Sequence, residues 1–409
     1  MEVLCVNIVI ALDSFKGSLT SIEAGEAVRR GILTVFPRAE IKVMPLADGG
    51  EGTVEALTLG MGGVLQPIEV TGPLGEKVLT SYGILPAFKT GIIEMAAAAG
   101  ITLVPEDKRN PLYTTTYGVG EMLLDAIHKG CRHFIIGIGG SATNDGGLGM
   151  LQALGFAMQD KNGQPVPRGA VGLRDISRIE YSGVVPELKD CTFRIACDVT
   201  NPLLGENGCS AVFAPQKGAG AEDIRKMDKW LAHYVDVIRT GKPEVNPQAP
   251  GAGAAGGLGF AFMTFMNAQL ESGIDIVLAE TKLEEHIAQA DFVITGEGRL
   301  DGQTVMGKAP IGVAKIAKKY HKPVIAFAGG VTPEAKACNQ HGIDAYFPIV
   351  RQAVSLAEAM QKDNAERNLL DTVEQAMRLL YITRQENVPH LSRWGHEYQN
   401  RRRAYLPPR

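Results

Sequence analysis

Asn7-Ile-Val-Ile-Ala-Leu12, then Asp13-Ser-Phe-Lys-Gly-Ser18, Thr20-Ser-Ile-Glu23 and Glu40-Ile-Lys-Val-Met44, form the stretch on which the fold turns. The first run is short, apolar without interruption and rich in β-branched residues, the pattern of a buried parallel strand. Thr20 and Glu23 have the spacing of a capping box. Ile22, Ala27, Val28 and Ile32 fall on one helical face, which predicts a helix to about Thr34, stopped by Pro37. A second strand follows at 40–44. Strand, helix, strand at this spacing is a βαβ unit, and it favours a parallel sheet covered by helices.

The same rhythm returns late in the chain. Asp291–Thr295, Pro323–Ala328 and Ala345–Val350 read as strands. Ile311–Tyr320, Thr332–His341 and Ser355–Arg378 read as helices. The segment 64–283 differs. It mixes alternating strands (Val64–Val70, Lys77–Ile84, Thr90–Met95) with helices (Tyr117–His128, Leu148–Ala157, Ala221–Ile238) and several glycine loops. No Pro/Gly/Ser linker bounds it and no internal repeat is visible. Pattern alone supports two domains and leaves open whether the middle one is an insertion.

The 409 residues carry a net charge of −4. That weighs against general nucleic-acid affinity and against an electrostatic membrane contact. No window of about 18 uncharged apolar residues occurs, and Glu2, Asp13 and Lys16 interrupt the first apolar stretch, so a cytoplasmic protein is expected. Six widely spaced cysteines without a CxxC pair suggest reduced, mostly buried thiols. The 48 glycines exceed the usual share of about 7% and gather in short clusters. Residues 391–409 are polar, with Arg401-Arg-Arg403, and read as a mobile tail or a basic docking element.

The glycine clusters carry the chemistry. Gly137-Ile-Gly-Gly-Ser-Ala-Thr-Asn-Asp-Gly-Gly-Leu-Gly149 joins a strand to a helix. Glycines let amides approach an anion, and Ser141 and Thr143 add hydroxyl donors, so phosphate or carboxylate binding is expected. Asp145 is a candidate for a metal or a sugar hydroxyl. Gly251–Gly259 allows a ligand loop or close packing through small residues. Asp48-Gly-Gly-Glu-Gly-Thr53 follows the second strand, where open α/β sheets bind ligands. In Asp13–Ser18, Lys16 can neutralise an anion and Asp13 can orient a hydroxyl or act as a base. Gly302–Lys308 fits G-x-x-x-x-G-K, but Ala309 stands where a Walker loop needs Ser or Thr, which excludes a P-loop NTPase. Asp198 and Asn201, after the strand Thr192–Ala196, are placed to hold Mg²⁺ or a substrate hydroxyl. HExxH, Gly-x-Ser-x-Gly and, after the first strand, Gly-x-Gly-x-x-Gly are absent. Structural zinc, a serine hydrolase and a standard dinucleotide fold therefore have no signal.

Taken together, Asp13–Leu19, Ala47–Thr53, Gly137–Gly147, Cys197–Leu203, Ala214-Pro-Gln-Lys-Gly-Ala219, Gly251–Gly257 and Thr295-Gly-Glu-Gly298 with Asp301-Gly-Gln-Thr304 resemble the bacterial glycerate kinase family, type I. The loops are collinear with that family over about residues 6–385. The resemblance implies an α/β fold of two domains. A flavodoxin-like parallel-sheet domain is built from 1–63 and 284–385. A restriction-endonuclease-like α/β domain, 64–283, is inserted into it, and 386–409 is a tail outside the family pattern.

It also implies ATP-dependent phosphorylation of D-glycerate, in the branch most resembled to 2-phosphoglycerate, with Mg²⁺ as cofactor. Phosphoryl transfer needs positioning and charge stabilisation. On this reading a cleft between the domains is the expected place of reaction. Gly139, Gly140, Ser141, Ala142, Thr143, Asp145, Lys217, Gly253, Gly256, Glu297, Asp301 and Lys308 are expected to hold ATP. Ser14, Asp48, Gly49, Gly50, Glu51 and Asn201 are expected to hold glycerate. Asp198, Lys16 and Asp13 are the expected catalytic residues, with Asp198 also the expected metal ligand. Neither nucleic acid nor membrane is an expected partner, and monomer and homodimer both fit. The rivals are a 3-phosphorylating kinase, a kinase of another small hydroxy acid, a non-catalytic nucleotide or metabolite sensor, and a nicotinamide-dependent oxidoreductase.

Overall fold

A computed structural model describes residues 6–46 and 53–384. The described residues form a mixed α/β protein of two compact units, one from residues up to Met44 and from Glu285 on, the other from Pro45 to Glu284.

The first unit holds a five-stranded sheet in the order Ala345–Pro348, Val324–Val331, Phe292–Leu300, Asn7–Leu12, Glu40–Pro45. The pairings among the first four strands are parallel. Numbered within the unit, the order is 2-1-3-4-5, the doubly wound order of flavodoxin-like sheets. Ile8, Ile10 and Leu12 are fully buried, as an uninterrupted apolar strand requires. The helix Ser21–Val35 begins in the expected capping box: the Glu23 amide donates to Thr20 Oγ1 at 3.2 Å, and Glu23 Oε2 accepts from the Thr20 amide at 2.9 Å. Its buried face packs on the helix Lys362–Arg384. Gly31 sits at the crossing, where a Cβ would lie 2.7 Å from the Leu370 carbonyl oxygen, so only glycine admits this approach.

The second unit holds a six-stranded sheet in the order Gln269–Glu271, Thr192–Ala196, His133–Gly137, Thr90–Glu94, Lys77–Leu85, Val64–Thr71. The first four strands are parallel and the last two antiparallel. A separate antiparallel pair joins Ala157–Gln159 to Arg178–Glu180. One face of the parallel part is apolar, where Ile93, Phe134, Ile136, Phe193 and Ile195 join one buried core, with Phe134 stacked on Phe193 at 5.1 Å between ring centres.

Several expected boundaries move. The boundary expected at 63/64 lies at 44/45, because the helix Thr53–Gly60 packs on the second unit's sheet. A Cβ on Gly83 of that sheet would lie 1.8 Å from Thr58 Oγ1, so strand and helix touch directly. The Val54 amide also donates to Glu94 Oε1 at 3.1 Å. A helix following a strand reads as the next repeat of the first domain, and only packing shows which sheet it covers. The expected strand 291–295 runs as Phe292–Leu300, through its glycines. The expected helix 355–378 is two, Leu356–Ala359 and Lys362–Arg384, and 333–341 is a 3₁₀ helix. The five described cysteines are free thiols. Among the described residues no helix is long and apolar enough to cross a membrane.

Candidate functional site

In the first unit the strands Asn7–Leu12 and Phe292–Leu300 are neighbours, with Leu12 opposite Gly296. In a 2-1-3-4-5 sheet this is the switch point, where flanking loops diverge and leave a crevice at the carboxyl ends. The loops from both strands converge there. The Asp13 amide donates to the Gly296 carbonyl at 2.9 Å. The Asp13 side chain is buried, and its Oδ1 accepts from the Ser14 amide at 2.7 Å. Phe15 and Leu19 are buried and pin the turn between them, which leaves Lys16 exposed. Opposite, Glu297 is buried and its Oε1 accepts from Thr304 Oγ1 at 2.6 Å. Thr304 Oγ1 accepts in turn from the Asp301 amide at 3.1 Å. Lys308 Nζ lies 3.8 Å from both Glu297 Oε2 and Asp301 Oδ1. An ammonium held this loosely between two carboxylates can turn to an incoming anion at little cost. The structure therefore brings Asp13, Ser14 and Lys16 to the strand end that also carries Glu297, Asp301 and Lys308. Asp48, Gly49, Gly50 and Glu51 lie outside the described residues.

In the second unit the loop 138–147 leaves the strand His133–Gly137 at its carboxyl end. Gly139 and Gly140 are exposed, and a Cβ on Gly139 would meet nothing within 4 Å. Ser141 and Ala142, beside them, are buried. Below them lies Lys217, 3% exposed. Its Nζ donates to Ser141 Oγ at 2.6 Å and to the Thr143 carbonyl at 2.7 Å. Burial pulls the Lys217 pKa down to about 8, a shift opposed by Cys209 and Asp145. Thr143 Oγ1 and Asn144 Oδ1 are buried without a hydrogen-bond partner. The loop thus holds a buried cation and, at Thr143 Oγ1, a buried hydroxyl donor without a partner behind an open glycine turn, groups whose cost a bound anion would relieve.

Asp145 is a correction. Expected to hold a metal or a sugar hydroxyl, it is completely buried and faces inward. Its Oδ2 accepts from the Thr116 amide at 2.9 Å, Thr116 Oγ1 at 2.9 Å and the Gly149 amide at 3.3 Å, and its Oδ1 from the Gly147 amide at 3.1 Å. Burial raises its pKa against the pull of those donors. It is the clamp that fixes the loop. The residues missed from sequence are Thr116, its partner, and the neighbouring Thr114, which holds the same loop. Thr114 Oγ1 donates to the Ala142 carbonyl at 2.8 Å, and Thr116 Oγ1 also accepts from the Met150 amide at 3.0 Å. Three consecutive hydroxyls directly before a helix were the available signal.

Gly253 and Gly256, expected beside the nucleotide, are buried against backbone. A Cβ would lie 2.2 Å from the Pro202 carbonyl at Gly253 and 2.1 Å from the Thr143 carbonyl at Gly256, whose φ is +65°. Of the two readings of this cluster the geometry shows the packing one: it is the bed on which the loop 138–147 rests. Gly256→Ala is expected to cost about 2 kcal/mol, from left-handed strain and the clash together. Thermal unfolding measures this, and Gly139→Ala, in open space, is expected to unfold within about 0.5 kcal/mol of the unaltered chain.

Asp198 is exposed at the end of the strand Thr192–Ala196, and its Oδ1 accepts from the Gly273 amide at a long 3.3 Å. Asn201 Nδ2 donates to the Asn207 carbonyl at 2.9 Å. Among the described residues no group of three or more His, Cys, Asp or Glu side chains is placed to hold a metal ion.

A model of the Glycerate kinase family matches residues 8–381. The chain is 50% identical over 378 residues to a protein of Escherichia coli (strain K12) named Glycerate 2-kinase, covering 91% of this chain and 99% of that one. It is 47% identical over 368 residues to a Glycerate kinase of Halalkalibacterium halodurans, covering 89% and 97%. Among solved structures it resembles a Salmonella typhimurium LT2 protein named for glycerate kinase 2, with a TM-score of 0.87 and 45% identity, covering 93% of this chain and 100% of that one.

Proposed function

Because the chain belongs to the glycerate kinase family, we propose that it transfers the γ-phosphoryl group of ATP to the 2-hydroxyl of D-glycerate, giving ADP and 2-phospho-D-glycerate. The observation that carries this reading is the near-complete, collinear likeness to the Escherichia coli kinase, whose name specifies the 2-position. The geometry supports it. The open turn at Gly139 and Gly140, backed by Ser141 and the Lys217 ammonium, offers amide, hydroxyl and cationic stabilisation to a polyphosphate. Asp13, Ser14, Lys16, Glu297, Asp301 and Lys308 at the switch point supply the hydrogen-bonding and charged groups that a small hydroxy acid and a phosphoryl group need.

Mg²⁺ in such a reaction is usually held by one or two carboxylates and the phosphates themselves, so a cage of three carboxylates is not required. Asp198, exposed at a strand end, suits that role, and the metal would neutralise phosphate charge. Asp198→Asn is expected to raise the Mg²⁺ concentration for half-maximal rate about tenfold or more. An unmoved Mg²⁺ dependence with a near-normal kcat removes Asp198 from the chemistry.

The deciding experiment incubates purified protein with ATP, Mg²⁺ and D-glycerate, with enolase as trap. Phosphoenolpyruvate absorbance without added phosphoglycerate mutase supports 2-phosphorylation. A response that needs the mutase means 3-phosphorylation. No ATP consumption overturns the substrate assignment.

A further inference from the structure

The segment 100–110 connects the two ends of the Gly139–Lys217 arrangement. It starts on the glycine turn, where Gly100 bridges Ser141 and the Ile101 amide donates to the Gly140 carbonyl at 2.8 Å. It ends on the Lys217 loop. A Cβ on Gly218 would lie 2.2 Å from the Arg109 carbonyl oxygen and 3.0 Å from Arg109 Cβ, so Arg109 is packed directly on the residue after Lys217. Gly218 has φ +95°, and that conformation admits the contact.

Arg109 itself is half-buried. Its Nε is shielded from solvent and has no hydrogen-bond partner, and among the described residues the guanidinium forms no ion pair. Two other half-buried arginines of this unit have partners: Arg194 is held by Glu271 and Glu280, at 2.7 and 2.6 Å, and Arg132 donates to the Ile127 and Cys131 carbonyls. The guanidinium is a permanent cation, and an N–H shielded from water without a partner costs free energy even where the rest of the group is solvated. A planar fork of donors matches an oxyanion with two oxygens in one plane.

We propose that Arg109 is an oxyanion-binding residue of the candidate site, its fork completed by a carboxylate or phosphate of a bound substrate. The inference deepens the kinase reading and rests on it for the identity of the two substrates. The shared chemistry is the oxyanion, and its two sources are the carboxylate of the hydroxy acid and a phosphate of the nucleotide.

The test compares unaltered protein with Arg109→Gln and Arg109→Lys by steady-state kinetics and by calorimetric titration with D-glycerate and with pyrophosphate. Arg109→Gln is expected to raise one KM at least tenfold and to weaken the matching probe by a similar factor: D-glycerate for the carboxylate arm, pyrophosphate for the phosphate arm. Arg109→Lys, with a charge but no fork, is expected to fall between. Both KM values and both affinities within twofold of the unaltered protein overturn the proposal. If circular dichroism shows Arg109→Gln unfolded, Arg109→Lys carries the same criterion. Unaltered protein that consumes no ATP overturns the kinase reading instead, and the titrations then decide on Arg109 alone.

Discussion

Lys217→Met is expected to lower kcat/KM for ATP about 100-fold to 1,000-fold, the range seen when one preorganised donor to a developing anion is lost. Methionine fills much of the same volume without the charge. Ser141 Oγ and the Thr143 carbonyl then lose a donor each, and the turn at Gly139 and Gly140 loses the cation behind it. The pH dependence separates this role from simple packing. The ordinary lysine value is 10.5, and burial brings Lys217 to about 8. Between these values the unfolded chain binds a proton that the folded chain has released. Stability therefore rises with pH across this window, by up to about 3 kcal/mol for this group. Below pH 8 both states are protonated, and the full cost of the buried charge is present. Activity, which needs the ammonium, moves the other way and falls as pH climbs through about 8. The unaltered protein is thus expected to gain stability relative to Lys217→Met above pH 8 while its kcat/KM declines. Denaturant unfolding and initial rates from pH 7 to 10 measure both. Cys209, whose thiol burial pushes up to about 11 against the pull of Lys217, contributes in the opposite sense at the upper end of the range, so the stability gain is read between pH 8 and 9. A flat activity profile across this range would remove the charge from the mechanism.

Asp145→Ala is expected to give the largest loss of stability. Four donors converge on this completely buried carboxyl: the amides of Thr116, Gly147 and Gly149, and the Thr116 hydroxyl. Removing their acceptor strands them where water does not reach, which costs about 3 kcal/mol or more. In a unit of this size that lowers the unfolding midpoint by about 6–12 °C. Asp145→Asn distinguishes the clamp from a ligand role. Its amide nitrogen would face donors, so a clamp loses comparable stability. A residue that only touched ligand would keep its midpoint and lose affinity. Scanning calorimetry on the three proteins decides between these outcomes.

Local periodicity made much of the fold legible. The βαβ unit at 7–44, its capping box and the late return of the same rhythm each depend on neighbours within a few residues, and each stands in the structure. The loops were legible for a related reason: glycine clusters at strand ends are local chemistry, and strand ends are where open sheets bind. What failed was long-range. Thr53–Gly60 has the pattern of either unit's helix, and only the fit of Thr58 over Gly83 assigns it to the second. Asp145 has the composition of a metal ligand, and its partners at Thr116 stand 29 residues away. Gly256 looks like a phosphate glycine, and the carbonyl that requires it belongs to Thr143.

By itself the sequence determined the class of the fold, the positions of the loops and the family, because these follow from spacing along the chain. The tertiary structure alone decided which polar residues of those loops face inward. Burial turned Asp145 into a clamp, brought Lys217 beneath Ser141 as a cation whose proton is loosely held, and left Arg109 with a donor unpaired. A side chain's charge is written in the chain, but its cost depends on how much water and how many partners the fold leaves it.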